Sequence, residues 1–268
     1  MSPTATALTA AAIAIVALML VTWVISLVVR NASIVDIVWG FGFVVVAWTV
    51  FLAVDGGNDT RRILLVLMTT VWGLRLAGYL GWRNHGKPED YRYRAMRKRW
   101  GSRFALVSLG TVFAFQGLMM WIVSLPVQLG QADPTPDVGP LAVVGVAVWL
   151  VGLFFEVVGD AQLARFKADP ANAGIVMDRG LWRYTRHPNY FGDACVWWGI
   201  ALVAAETGTG AWGLIGAALM TLLLRRVSGV TLLEKSLVKR RQGYADYVAR
   251  TSPFVPRPPR RQAAVTPD

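Results

Sequence analysis

Apolar residues run along this chain in long blocks, with the polar residues gathered between them. Blocks at about 6–29, 34–54, 63–81, 104–129, 140–163, 189–206 and 211–225 follow one another, and a bilayer core needs roughly 20 mainly apolar residues per helix. The pattern predicts an all-α, polytopic integral membrane protein of about seven transmembrane helices. Asp193 interrupts the sixth block, and the seventh is short.

The polar positions between blocks set the orientation. The connection after the third block carries Arg83, Lys87, Arg92, Arg94, Arg97, Lys98, Arg99 and Arg103, and the one after the fifth carries Arg165, Lys167, Arg179, Arg183 and Arg186. Short loops rich in Lys and Arg stay cytoplasmic. The loop 131–137 has no positive charge and the next turn offers only Glu206, which suits the outside. The N-terminus is therefore expected outside and the C-terminus in the cytoplasm, with Arg30 inside and the Arg61-Arg62 pair as the misfit. Met1 to Ala10 contains no Lys or Arg and the first block is too long for a signal-peptide core, so no cleaved signal is expected. Residues 1–256 read as a single transmembrane domain and 257–268 as a disordered tail.

Composition sharpens this picture. The chain is 55% apolar and 16% charged, against roughly 45–50% and 25% in a soluble domain. Its net charge is nevertheless +11, from 27 Lys and Arg against 16 Asp and Glu. A nucleic-acid binder would explain the charge but not the apolar blocks, so no nucleic-acid partner is expected, and no obligate protein partner is evident. Cys195 is the one cysteine, which excludes an internal disulfide, and His85 and His187 are too few for a Cys/His zinc cage.

An ionisable side chain within a span costs about 2.5–3.5 kcal/mol on insertion scales, so each one asks for a reason. Asp36, Arg75, Glu156, Asp160 and Asp193 all fall near the cytoplasmic ends of their blocks. Glu156 and Asp160, four apart, share a helix face. Pairing with loop arginines would account for any one of the five; a polar cavity roofed by basic loops accounts for the set. Trp72, Tyr79, Trp182, Trp197 and Trp198 are placed to line its wall.

The segment Gly180-Leu-Trp-Arg-Tyr-Thr-Arg-His-Pro-Asn-Tyr-Phe-Gly-Asp193 holds the densest chemistry. Pro188 marks a helix start, so Asn189 onward presents free backbone N–H groups. With Arg183, Arg186 and His187 beside it, that end suits phosphate oxygens. Further on, Glu234 precedes Gly243-Tyr-Ala-Asp-Tyr247, a stretch too hydrophilic to span.

These residues resemble the superfamily of membrane enzymes that joins steroid 5-alpha-reductases, sterol reductases and isoprenylcysteine carboxyl methyltransferases. Arg186-His-Pro-Asn-Tyr-x-Gly192 resembles its hallmark, and Glu234 with Tyr244 and Tyr247 its C-terminal signature. The likeness is best over 140–256. Earlier, Asn84-His-Gly-Lys-Pro88 is similar to a 5-alpha-reductase loop, and Val35-Asp-Ile-Val-Trp-Gly40 with Gly86-Lys-Pro-Glu-Asp-Tyr-Arg-Tyr93 is similar to a bacterial steroid-reductase-like branch. Asn189 and Asp193 match the reductase form of the hallmark, and the spacing of Asp160 and Lys167 resembles an Asp and Arg pair that holds the nucleotide.

The resemblance implies a nicotinamide cofactor, NADPH. Its phosphates want several cations, as the basic loops provide, whereas S-adenosylmethionine brings a sulfonium and no phosphate. No Gly-x-Gly-x-x-Gly follows a strand, which excludes a soluble dinucleotide-binding mode. By resemblance, Asn189 and Asp193 contact the nicotinamide end, Lys87, Arg92, Lys167, Arg183 and Arg186 hold phosphates, and Tyr244 and Tyr247 bracket ribose or adenine. Arg75, Asn84, Glu156, Asp160, His187, Tyr190 and Glu234 complete the cofactor-binding set. Asp193→Asn and Arg186→Ala are each expected to lower NADPH affinity without unfolding the protein.

The implied reaction is reduction of an activated carbon–carbon double bond in a lipid-soluble substrate: a 3-oxo-Δ4 steroid, a sterol or an isoprenoid-like enone. Polarising the enone carbonyl needs a donor at the developing oxyanion. In the 5-alpha-reductases that this chain resembles, the role belongs to an acid on an early helix and a tyrosine on a following one; the resemblance implies Asp36, the only acid of the second span, as the catalytic acid, kept protonated by its apolar setting. Where the superfamily places its partner tyrosine this chain has Trp72, and the nearest phenol of that span is Tyr79. Trp donates a hydrogen bond but no proton, so either Tyr79 substitutes or the acceptor is not a 3-oxo steroid. Two other readings stand beside the reductase: an S-adenosylmethionine-dependent methyltransferase of a lipid or prenylated thiol, and a non-catalytic transporter or scaffold of the cell membrane. The last lacks the internal repeats common in transporters.

Overall fold

The computed structural model describes residues 1–135, 138–206, 208–227 and 243–260, which are helical with no β-strand among them. The first three helices are α1 (Pro3–Val28), α2 (Ile34–Ala53) and α3 (Asp59–Asn84). The segment Tyr91–Val123 follows, built of α4 (Tyr91–Trp100), α5 (Phe104–Ser108), a π-helical turn (Leu109–Ala114) and α6 (Phe115–Val123). Next come α7 (Leu125–Ala132), α8 (Pro140–Ala168), α9 (Pro188–Ala204), α10 (Leu214–Leu222) and the short α11 (Tyr244–Arg250). Among the described residues five segments are long and apolar enough to cross a membrane: α1, α2, α3, Tyr91–Val123 and α8. The chain is a multi-pass membrane protein. The sixth and seventh expected spans fall on α9, with 17 residues, and α10, with 9. At 1.5 Å per residue α9 is about 26 Å long, short of the roughly 30 Å hydrocarbon core.

The block expected as one helix over 104–129 is broken. Pro126 has no N–H to continue the ladder, and α6 ends at a kink around Ser124. Polar side chains serve the kink: Gln128 Nε2 donates to Trp121 O at 2.8 Å and to Ser124 Oγ at 2.7 Å, and Ser124 Oγ donates to Trp121 O at 3.1 Å.

Arg61 and Arg62, the misfit in the charge pattern, have a structural use. Arg62 Nη2 donates to Phe51 O at 2.6 Å and Val54 O at 2.7 Å, the carbonyls that end α2. Arg61 Nη1 reaches Thr135 O at 3.1 Å. A cation at a helix C-terminus satisfies orphan carbonyls and meets the negative end of the dipole. Glu206 does the converse, accepting from Gly139 N and Ala142 N at 2.8 Å where α8 begins.

The chain divides into two units, residues 1–146 with 200–217 and residues 147–199 with 218–268. In the first, α2 lies against α1 and α3, and α7 against all three. Gly40 and Gly73 let α2 and α3 meet backbone to backbone: a Cβ on Gly73 would stand 2.6 Å from Gly40 O. In the second, Gly152 of α8 and Gly192 of α9 do the same, with a Cβ on Gly192 falling 2.5 Å from Gly152 O. Small residues at helix crossings are the usual means of close approach where lipid removes the hydrophobic drive. Residues 257–260, assigned from sequence to the tail, are bonded to the fold through Arg257 N to Tyr184 O and Arg260 N to Arg250 O, both 2.9 Å. Residues 261–268 lie outside the described residues.

Gly73→Ala should force α2 and α3 apart and destabilise the protein by about 1–3 kcal/mol, the usual penalty of overpacking. Gly78→Ala, on the same helix but facing open space, should leave stability unchanged or slightly raised. Thermal unfolding of the two variants in one detergent checks the contrast; equal melting temperatures would refute the crossing as drawn.

Candidate functional site

In the first unit, Asp36 sits in the first turn of α2. Tyr93 O–H donates to its Oδ1 at 2.9 Å and Arg92 Nη2 to its Oδ2 at 3.3 Å. Both oxygens of the carboxyl are therefore bonded. Asp36, expected from sequence to work with a tyrosine, is thus shared between a phenol and a guanidinium.

A clasp holds this arrangement. Arg30, with φ 52°, turns the chain between α1 and α2, and the residues after it are gripped by the start of α4. Glu89 Oε1 accepts from Ala32 N at 2.8 Å, and Ser33 Oγ accepts from Asp90 N at 2.7 Å. Asp90 caps α4 by accepting from Arg92 N at 2.9 Å. Arg97 forks onto Glu89 through Nη2 at 2.9 Å and Nε at 3.2 Å. Burial works to raise the Glu89 pKa, but the Arg97 fork and the Ala32 amide outweigh it and hold the carboxyl below its ordinary value of 4.5. Arg92, expected on a phosphate, is engaged by Asp36 and by Asp90 at 3.0 Å.

The phenol at Asp36 is Tyr93, in place of the expected Tyr79 or Trp72. Trp72 is fully buried and edge-on to Phe43 with ring centroids 5.5 Å apart, part of the α2–α3 packing. The Tyr79 ring lies between the guanidinium groups of Arg75 and Arg83, at 5.9 and 5.8 Å. Asn84 ends α3 and accepts from Arg83 Nε at 3.3 Å, and Lys87 is exposed in the turn that follows.

In the second unit the Gly152–Gly192 contact presses α9 onto the face of α8 that carries Glu156 and Asp160, 2% and 6% exposed. Asn189 Nδ2 donates to Asp160 Oδ1 at 3.1 Å, while its own Oδ1 accepts from Tyr190 N at 3.1 Å. Asp193, half-buried, follows one turn later on the same face. Four residues singled out from sequence, Glu156, Asp160, Asn189 and Asp193, therefore belong to one α8–α9 pair.

The hallmark arginine has a different place. Arg186 is 7% exposed, and its Nη1 donates to Val248 O at 2.9 Å and Thr251 O at 2.6 Å, closing the end of α11. Its backbone N donates to Ser252 O at 2.9 Å beside the Thr185–Ser252 bridge, and Thr185 Oγ1 donates to Phe254 O at 2.8 Å. His187 is buried and stacks on Tyr190 with centroids 5.3 Å apart. Tyr247 O–H donates to Trp182 O, and Trp182 Nε1 to Gly159 O at 3.0 Å. Burial pushes the Tyr247 phenol up, so it stays a donor. Tyr244 is buried against Tyr247. Arg186, Tyr244 and Tyr247, expected around a nucleotide, thus join the C-terminal segment to the 182–187 stretch. Lys167 and Arg183 are exposed residues. Glu234 lies outside the described residues.

Against this geometry, residues 22–251 match the family described as "Protein of unknown function (DUF1295)". The chain belongs to the DUF1295 family. Steroid 5-alpha-reductase DET2 of Arabidopsis thaliana is 35% identical over 80 residues, which cover 30% of this DUF1295 protein and 28% of that reductase. No solved structure matches. The likeness to the steroid 5-alpha-reductase superfamily read from the motifs is borne out at the level of family.

Tyr93 and Arg97 are the residues that sequence reasoning passed over. Both lie in or beside the Gly86–Tyr93 motif, but Tyr93 finds its partner Asp36 57 positions away, and Arg97 serves a glutamate whose other bond is to Ala32 N. Arg186→Ala in this DUF1295 protein should lower stability by about 1.5–3 kcal/mol, because charge-assisted bonds to buried carbonyls are lost; an unchanged melting temperature would contradict the assigned role. Glu89 is depressed, so its clasp contributes full stability above its ordinary pKa and loses it as pH falls below about 4.5 through the folded value. Melting temperature measured against pH should show this acid loss in the wild type and a smaller one in Glu89→Gln.

Proposed function

We propose that this DUF1295 protein is an NADPH-dependent reductase of an activated carbon–carbon double bond in a lipid-soluble substrate, embedded in the cell (inner or plasma) membrane. The observation that carries the reading is the Asp160–Asn189 pair, an amide held by a buried carboxylate between two apolar helices with Asp193 one turn on. A carboxylate and amide cluster in that setting suits a nicotinamide carboxamide, which needs both acceptors and donors. The likeness to a steroid 5-alpha-reductase points the same way.

When bound, NADPH supplies a hydride to the β carbon of the activated double bond. The chain does the rest. Asp193 and Asn189 would hold the carboxamide, and the exposed Lys167 would meet a phosphate. Within the first unit, the Tyr93 O–H held by Asp36 is a phenol suited to donate to a carbonyl oxygen that gains negative charge and then to give up its proton. Asp36 and Arg92 hold the phenol in place.

Protein purified in detergent and then denatured should release NADP(H), identified by mass and ultraviolet spectrum. Release of a sulfonium nucleoside would overturn the reading. Asp160→Asn should weaken NADPH binding by about ten-fold or more, the loss of one charge-assisted bond. Tyr93→Phe and Asp36→Asn should retain NADPH binding and lose turnover of a 3-oxo-Δ4 steroid or isoprenoid enone; retained turnover in both would remove the Asp36–Tyr93 pair from the mechanism.

A further inference from the structure

Positive charge is densest in the first unit between Arg83 and Arg103, where Arg83, Lys87, Arg92, Arg94, Arg97, Lys98, Arg99 and Arg103 stand against two acids, Glu89 and Asp90. Both acids are spent within the clasp. Arg97 pairs with Glu89 at 2.9 Å and Arg92 with Asp90 at 3.0 Å. Arg94, Lys98, Arg99 and Arg103 remain exposed, and among the described residues none of these four forms an ion pair.

The seating of α4 decides where they point. Tyr93 and Arg97, four apart, face the fold: one is bonded to Asp36, and the other is forked onto Glu89 with its guanidinium 4.0 Å over the Phe104 ring. Tyr91, Arg94 and Lys98, spaced by three and four, hold the opposite stripe, and Tyr91 is 69% exposed. Gly101, at φ 49°, turns the chain just after exposed Trp100, whose ring lies 5.5 Å from the Arg99 guanidinium. From Phe104 the segment becomes apolar, and Leu106 is 75% exposed, as a lipid-facing side chain is. Lys98, Arg99 and Arg103 therefore stand within two helical turns of the hydrocarbon boundary. Retention of charge on one side of a membrane accounts for the sign of this segment. It does not require that the acids be withdrawn from the patch, or that Tyr and Trp stand in the open beside the cations.

We propose that the outer stripe and C-terminal end of α4, Arg94, Lys98, Arg99 and Arg103 with Tyr91 and Trp100, form a docking surface for the anionic phospholipid headgroups of the leaflet they border. Juxtamembrane Lys and Arg are drawn to the negative potential of such a leaflet, and guanidinium forks match headgroup phosphate. Exposed Tyr and Trp rings settle at the same depth. Since α4 also carries Arg92, Tyr93 and Arg97, headgroups bound along its outer stripe hold the clasp on Ala32 and Ser33 closed and stabilise the first unit. Lys87 and Arg92 are not part of the surface. The proposal does not rest on the reductase reading, because none of its residues serves cofactor or substrate there.

The test uses the full chain in discs of phosphatidylcholine and in discs of phosphatidylcholine mixed with phosphatidylglycerol, with lipid retention read by native mass spectrometry and stability by thermal unfolding. Phosphatidylglycerol should be retained selectively, and the melting temperature should be higher in the mixed discs by a margin that shrinks as salt is added. Lys98→Gln/Arg99→Gln should weaken retention by about ten-fold or more and remove the gain in melting temperature. Arg257→Gln/Arg260→Gln, which removes the same charge from exposed positions of the second unit, should keep both. If the first double variant does not fold, Arg103→Gln alone should weaken retention. Equal retention of the two lipids by the wild type, or equal weakening in the two double variants, overturns the proposal.

Discussion

A helix that stops in or beside hydrocarbon leaves carbonyl groups with no water to satisfy them, and this fold meets that cost with arginine. Arg62 closes α2, Arg186 closes α11, and Gln128 with Ser124 repairs the break at Pro126. These groups are fixed by the backbone they serve. Arg62 and Arg186 are thereby committed to structure and do not count among the charge left for ligands.

The second determinant is how closely the helices approach. Gly40 with Gly73, and Gly152 with Gly192, remove the side chains that would hold the backbones apart. In the second unit this has a chemical consequence, because the α8 face pressed onto α9 carries Glu156 and Asp160. Two acids in apolar surroundings are costly unless bonded. Asn189 bonds to Asp160, and the helix pair becomes a polar cluster within apolar helices.

The first unit solves a related problem differently. Asp36 is part-exposed, with 27% of its side chain accessible, and its two oxygens are shared by Tyr93 and Arg92. The clasp of Glu89, Asp90 and Arg97 around Ala32 and Ser33 exists on the loop side, where ion pairs form without full desolvation. A proton donor steadied by a carboxylate and a cation suits reduction of a polarised double bond.

The chain's pattern alone determined that the protein is helical and membrane-embedded, where its polar breaks fall, and that Asp36, Asp160, Asn189 and Asp193 needed partners. Runs of about 20 apolar residues have essentially one solution in lipid, so length and spacing sufficed. Tertiary structure decided who those partners were. Tyr93 reaches Asp36 across 57 positions, and Arg186 reaches Val248 and Thr251 across 62 and 65. A guanidinium or phenol bonds to whatever acceptor folding brings within about 3 Å. That distance is set by helix crossings and turns, and the local pattern of apolar and polar positions does not encode it.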